Sequence, residues 1–332
     1  MGHGRRLIER TTPAAARSTA AILRDLTDLL PGLRPVEHGG ASLESAFSTP
    51  EPPVTRSAEQ IEDSVVRARP VAQDVEPVFG AFLDGVQASR TIAWIGHVPI
   101  VLADLAAVIR TRVDRRFVTW RDGFVQRRAL YAPWHSLSPA YRQPHHLELR
   151  DVDDPGNSDG SHPFLRLQAA SKAVKQDRER LERDLADRFC ATGECPLYID
   201  GNLPASDVVR ASPFATGVIK SHHTLYVEGR NLETVLALRC GERSSVFVID
   251  SRRRPAVASW YLRVRDPERQ SPFWGLVRVE APLEMLERAL THEADARSAW
   301  ILAERSPVAL PDGRWDTMAY GIRNCEEFLR AQ

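Results

Sequence analysis

Residues 195–206 read CPLYIDGNLPAS, and residues 78–89 read VFGAFLDGVQAS. In each, a short apolar run passes into an acid followed by glycine: Asp200-Gly201 in one, Asp84-Gly85 in the other. Short runs of aromatic and branched residues predict strands, so each phrase is expected to be a buried strand ending on its acid. A carboxylate there loses hydration and must be compensated. For a single Asp-Gly the usual resolution is a tight turn, and that reading covers Asp122-Gly123 and Asp312-Gly313. A divalent cation shared by two strand-terminal acids is the other resolution, and the repetition of the phrase favours it.

Between the two phrases lies FLRLQAASKAVKQDRERLERDLADRF, residues 164–189. Leu167, Ala170, Val174, Leu181, Leu185 and Phe189 recur at helical spacing among charged residues, predicting a long amphipathic helix. It follows a turn-rich loop, DVDDPGNSDGSHP (151–163). After the second phrase, PLYID, TGVIK, TLYVEG, SSVFVID, ASWYLRVR and GLVRVEAP read as strands, with RNLETVLALRCGE as a helix among them. The segments PLEMLERALTHEADARSAWILAERS and AYGIRNCEEFLRAQ return to helical spacing. Upstream, AAARSTAAILRDLTDLL predicts a helix stopped at Pro31-Gly32, followed by a Pro- and Ser-rich stretch and a short helix around AEQIEDSVVRARP. RTIAWIGHVPIVLADLAAVIRTRV reads as a strand and then either a helix or a second strand, and RFVTWRDGFVQRRALYAP as a strand or a hairpin turning at Asp122-Gly123. The expected architecture is α/β: a mixed sheet flanked by helices over residues 66–332, preceded by a helical extension and linker over 1–65.

Bulk properties narrow the chemistry. The 332 residues carry 44 Lys and Arg against 44 Asp and Glu, so no global basic field marks a nucleic-acid binder and any basic surface is local. Lysine occurs only at Lys172, Lys175 and Lys220. No run approaches the roughly 18 apolar residues of a membrane span and the first residues lack a secretory apolar core, so a cytoplasmic location without membrane contact is expected. Cys190, Cys195, Cys240 and Cys325 form no CxxC pair, and reduced thiols are expected rather than zinc. There is no GxxxxGK[ST], GxGxxG, GxSxG or HExxH, so ATP hydrolysis by the chain itself is not expected. His145-His146 and His222-His223 are read as surface or loop pairs.

The two Asp-Gly phrases, the helix between them and the later segments resemble the NurA nuclease family over about residues 78–332. That resemblance implies an RNase H-like core in which an acid on the first strand, a helical Glu and a second acid in a DG motif form the site. Carried over residue by residue, these are Asp84, Glu182 in RERLERDL, and Asp200, with Glu179 the alternative one turn before Glu182. FATGVIKSHHTLYV resembles the family's lysine-bearing strand and maps Lys220. ASWYLRVR and WGLVRVE resemble the paired strands before the C-terminal helix. The family ends on a Tyr-Pro segment and a metal-binding His; here Tyr320-Gly321 and Glu326 stand there, a departure at the last ligand.

The resemblance implies a Mn²⁺- or Mg²⁺-dependent DNA nuclease in which Asp84, Glu182 and Asp200 hold the ions and Lys220 meets the phosphate. It also implies a homodimer working with a HerA-type hexameric ATPase in DNA repair or anti-phage defence. Two other readings stand beside it: an adaptor of the same fold that binds DNA or the ATPase without cutting, and an RNase H-like enzyme acting on RNA or hybrids. The run Arg252, Arg253, Arg254 is read as a hairpin tip or as a backbone-tracking patch, with Trp260 and Tyr261 as stacking aromatics.

Overall fold

The computed structural model describes residues 18–36, 42–46, 52–134, 137, 148–152, 162–251, 254–267, 270–286, 289–305 and 317–332. Most of the loop 151–163, the pair His145-His146, Asp312-Gly313, Arg252 and Arg253 lie outside the described residues. Three long strands, β1 (Ala81–Ile95), β2 (Val98–Val113) and β3 (Arg116–Ala132), follow one another through the two-residue turns Gly96-His97 and Asp114-Arg115. Gly96 (φ 56°), Asp114 (φ 47°) and Arg115 (φ 62°) adopt the left-handed values that such hairpins require. Next come α1 (Pro163–Cys190), β4 (Leu197–Asp200), β5 (Ala215–Ile219), β6 (Phe247–Ser251), β7 (Arg254–Arg263), β8 (Leu276–Pro282), α2 (Leu290–Ala303) and α3 (Tyr320–Arg330).

The chain forms two compact units: residues 1–47, 88–103 and 128–174 in one, residues 48–87, 104–127 and 175–332 in the other. In the first, the helix Thr19–Leu29 is capped by Ser18, whose Oγ accepts from the Ala21 amide at 3.3 Å. Its Ile22 and Leu26 join Leu30, Leu33, Ile92, Ile100, Leu102, Leu130 and Trp134 in one apolar cluster. Strand Leu33–Pro35 runs antiparallel to residues 93–95, and Glu148–Asp151 runs parallel to residues 129–132.

The strands lie in the order β6-β7-β8-β5-β4-β1-β2-β3. β1, β4 and β5 are parallel, while β8 is antiparallel to β5 and to β7. The central stretch therefore reads 3-2-1-4-5 in a mixed sheet flanked by helices, as the α/β expectation had it. On one face Phe82, Tyr198, Val218, Trp260 and Val279 pack with Ala294, Ile301 and Leu302 of α2 and Ile322, Cys325 and Leu329 of α3. Gly321 opens α3 against the Phe82 ring so closely that a Cβ would overlap it. The predicted stripe of α1 is buried from Ala170 to Phe189, with Leu167 half-buried.

β2 is the second strand of the two readings left open for its sequence; it is buried on both faces over most of its length, so no alternation distinguished it from a helix. Three expectations are corrected. Asp122-Gly123 is no turn but part of β3, where Arg121 (φ 34°) kinks the strand and Gly123 sits where a Cβ would strike the Trp120 carbonyl. AEQIEDSVVRARP forms no helix; its strands Glu59–Gln60 and Ala68–Pro70 flank Glu62, which pairs at 2.7 and 2.9 Å with the fully buried Arg243. That tertiary ion pair overrides local propensity. Trp260 and Tyr261 are fully buried, with Trp260 Nε1 donating to Ser298 Oγ at 2.9 Å, so they stack on nothing in solvent.

The Gly321–Phe82 contact sets a first expectation. Gly321→Ala should overpack this seam and lower stability by about 1–3 kcal/mol, read as a lower urea midpoint. Phe82→Leu in the same chain should recover part of the loss. Additive losses would show that the contact is not limiting.

Candidate active site

The register of β1 and β4 accounts for the repeated phrase. Ala81 pairs with Leu197, Phe82 with Tyr198 and Leu83 with Ile199, so the next step sets Asp84 beside Asp200. FLD and YID are the same three rungs of two adjacent parallel strands. In-register side chains on neighbouring strands point to the same face, with backbones about 4.8 Å apart. Asp200 is also in register with Val218 of β5. Two residues on, Lys220 returns to that face and its Nζ meets Asp200 Oδ2 at 2.9 Å. The site thus lies at the carboxyl ends of β4 and β5, the edge where open α/β sheets place ligands. Asp200 ends its strand as expected; Asp84 does not, being the fourth residue of the fifteen in β1.

The two glycines answer different needs. Gly201 has φ 127°, a conformation open to glycine alone, and turns the chain out of β4. Gly85 lies within β1, and a Cβ there would collide with the Glu182 carboxylate. Its missing side chain lets Glu182 reach across from α1. Arg178, one turn earlier, donates to Glu182 and, through Nε, to Gln87 Oε1 at 3.2 Å. Glu179, the alternative, is exposed. The turn after Asp200 is pinned from β8: Glu280 accepts the Leu203 amide at 3.0 Å, and Arg278 joins Glu280 at 2.6 Å to Asn202 Oδ1 at 3.1 Å.

Charge here is under-compensated. Asp84 is 9% exposed. Burial foremost, then the negative charge of Asp200, pushes its carboxyl up to about 8, with Lys220 opposing and Glu182 adding to the rise. Burial pushes Glu182 up to about 7 against the pull of Arg178. The buried Cys325 thiol, which donates to the Phe82 carbonyl at 3.4 Å, is raised by burial and then by Asp84.

A cleft of about 450 Å³ opens beside these groups, lined by Asp200, Lys220, His222, Gln270, Phe273, Trp274 and Glu326. Glu326, on α3, therefore faces the same space as Asp200 and Lys220; Arg330 Nη2 donates to it at 3.0 Å. His222, read from sequence as a surface or loop residue, is half-buried in this wall. The aromatic side of the cleft was not anticipated; its sequence signal is SPFWG (271–275), two adjacent aromatics in a Pro- and Gly-bounded loop.

Among the described residues, no three His, Cys, Asp or Glu side chains surround a common point as a ready ligand shell. The pair Asp84 and Asp200 nevertheless fits a hard cation: two oxygen-donor acids share one face of adjacent strands, and burial, followed by the charge of Asp200, favours a proton on Asp84 that a cation would displace.

No protein-family model matches this sequence, and no curated protein does. Among solved structures, the crystal structure of the NurA nuclease from Sulfolobus solfataricus aligns over 82% of this chain and 81% of its own, at 11% identity and a TM-score of 0.44.

The raised carboxyls set a pH dependence. Unfolded, Asp84 and Glu182 ionise near 3.8 and 4.5; folded, near 8 and 7. Over that window the folded chain retains protons the unfolded chain has released, so stability falls as pH rises from about 4 to about 8. In chelator at pH 8, Asp84→Asn should stabilise the protein by roughly 2–4 kcal/mol. At pH 4, where Asp84 is protonated in the folded state and only about half ionised in the unfolded one, the variant should lie within about 1 kcal/mol of the wild type. Denaturant melts at the two pH values check this; equal differences at both would contradict it.

Proposed function

We propose that this chain is a divalent-metal-dependent nuclease that cuts DNA phosphodiesters. The observation that carries the reading is the register match of Asp84 with Asp200, which sets two acids side by side at the edge of a cleft with Lys220 attached. Asp84 and Asp200 would hold Mn²⁺ or Mg²⁺ between them, Glu182 would complete the oxygen set from α1, and Glu326 would supply a hard ligand from the opposite wall. The bound ion would supply Lewis-acid chemistry at the scissile phosphate and lower the pKa of the attacking water.

The chain's own residues do the rest. Gly85 keeps the space through which Glu182 approaches. Arg178 fixes the Glu182 rotamer, and the Arg278–Glu280 pair holds the turn after Asp200 so that its carboxylate stays aimed at the cleft. Lys220, released from Asp200 by a cation, would become a point charge for a phosphate oxygen. The resemblance set out from sequence supports a homodimer that receives DNA from a HerA-type hexameric ATPase, serving repair or defence; the absence of a phosphate loop agrees with that division of labour.

The test is cleavage of labelled single-stranded DNA, duplex DNA and RNA with Mn²⁺, with Mg²⁺ and in chelator, alone and with the ATPase. DNA cleavage that needs the metal is expected. Asp84→Asn and Asp200→Asn should each lower the rate about 10³-fold, the scale of removing a principal transition-state stabiliser. Glu326→Gln should lower it about 10-fold, the scale of a peripheral ligand. Full activity in the Asp84→Asn, Asp200→Asn double variant would overturn the site. No cleavage under any condition, with no carboxylate-dependent Mn²⁺ binding, would leave the adaptor reading, and cleavage confined to RNA the RNase H-like one.

A further inference from the structure

We propose that Phe273, backed by His222, is a stacking platform for one unpaired nucleobase, so that the cleft selects a single strand or frayed end over intact duplex. The nature of the ligand rests on the nuclease reading; the platform itself rests on geometry. The two rings are stacked with centroids 5.1 Å apart and planes 24° apart. His222 cannot swing away, because its Nε2 donates to the Leu276 carbonyl at 2.9 Å. Phe273 nonetheless leaves 37% of its surface in solvent, on the cleft that Asp200 and Lys220 line.

The loop that presents this ring is rigid by construction. Arg263 is fully buried, and its guanidinium donates to the carbonyls of Leu236 at 2.8 Å, Leu238 at 3.0 Å and Pro272 at 2.8 Å, and also to that of Trp274. The Trp274 amide closes a turn on the Ser271 carbonyl at 2.8 Å, and Ser271 Oγ accepts the Phe273 amide at 3.3 Å. Gly275, at φ 64°, ends the turn where a Cβ would strike the Arg265 carbonyl. A desolvated cation is thus used to fix a loop whose outermost group is an exposed phenyl ring. Rings fixed before binding lose little entropy on contact, and aromatic faces take any base. Lys220, two residues before His222, sets a phosphate-binding charge on the same wall. Paired bases stay in the duplex stack, so only an unpaired base, or one frayed from an end, can use the platform.

Fluorescence anisotropy in chelator, with no cleavage, tests this directly on a labelled oligothymidylate, a blunt duplex and an abasic strand of equal length. The wild type should bind the oligothymidylate at least about tenfold more tightly than the abasic strand. Phe273→Ala should weaken oligothymidylate binding about tenfold, as loss of one stacked base does, and leave abasic and duplex binding unchanged. Phe273→Trp should bind the oligothymidylate as the wild type does. Equal weakening on all three ligands, no weakening on the oligothymidylate, or failure of the tryptophan to retain binding would overturn the platform. Because no metal or cleavage enters, a failed nuclease reading would leave this measurement interpretable: stacking without cutting supports the platform alone.

Discussion

Two carboxylates on neighbouring parallel strands, in register and facing the same way, repel each other at a distance the backbone sets. That constraint governs the rest of the second unit. Asp84 is buried, and among the described residues the charges that act on it are Asp200, Lys220 and Glu182, the lysine being already paired to Asp200. Lys220 on Asp200 and the Gly85 amide, which donates to Asp84 Oδ1 at 2.8 Å, relieve the pair only in part, and the Arg278–Glu280 clamp, the bare Gly85 and the tight seam of Gly321 on Phe82 hold it in place. The proposed metal-binding role rests on this incompletely compensated pair.

The distribution of cations follows the same division. This chain is rich in arginine, and its buried guanidinium groups serve as struts. Arg243 bridges Glu62 and Asp295, Arg263 ties the Phe273 loop, and Arg297 fastens α2 to β5 through the carbonyl of Ala215 and the hydroxyl of Thr216. The planar five-donor head suits that work because it satisfies several carbonyls at once. At the cleft the chain uses one of its three lysines instead. A compact ammonium that exchanges one oxygen partner for another suits the role proposed for Lys220.

Much of this was legible in the sequence, for physical reasons that also mark where legibility stopped. The repeated phrase pointed to a common place for the two acids, and the adjacency of β1 and β4 gives the reason: two strands meeting the same environment at the same rungs carry the same residues. The stripe of α1 was readable because one face alone is buried. β2 was not, because burial on both faces erases alternation. The end of β1 was misplaced: Asp84-Gly85 has the composition of a turn, but the Gly85 vacancy is filled by Glu182, a partner about a hundred residues away. Glu62 looked helical for want of knowledge of Arg243. Trp260 and Tyr261 looked like a stacking pair only because burial cannot be read from neighbours in sequence; the exposed aromatic was Phe273, whose loop is shaped by an arginine on another strand.

The central claim is that Asp84 and Asp200 share one cation. Anomalous diffraction at the manganese edge, from crystals grown in Mn²⁺, tests it without reference to activity. The account predicts a single strong peak in contact with carboxylate oxygens of both Asp84 and Asp200, with the Lys220 ammonium displaced from Asp200. Mn²⁺ bound elsewhere, or an unchanged Lys220–Asp200 pair with Asp84 bare at saturating Mn²⁺, would contradict it.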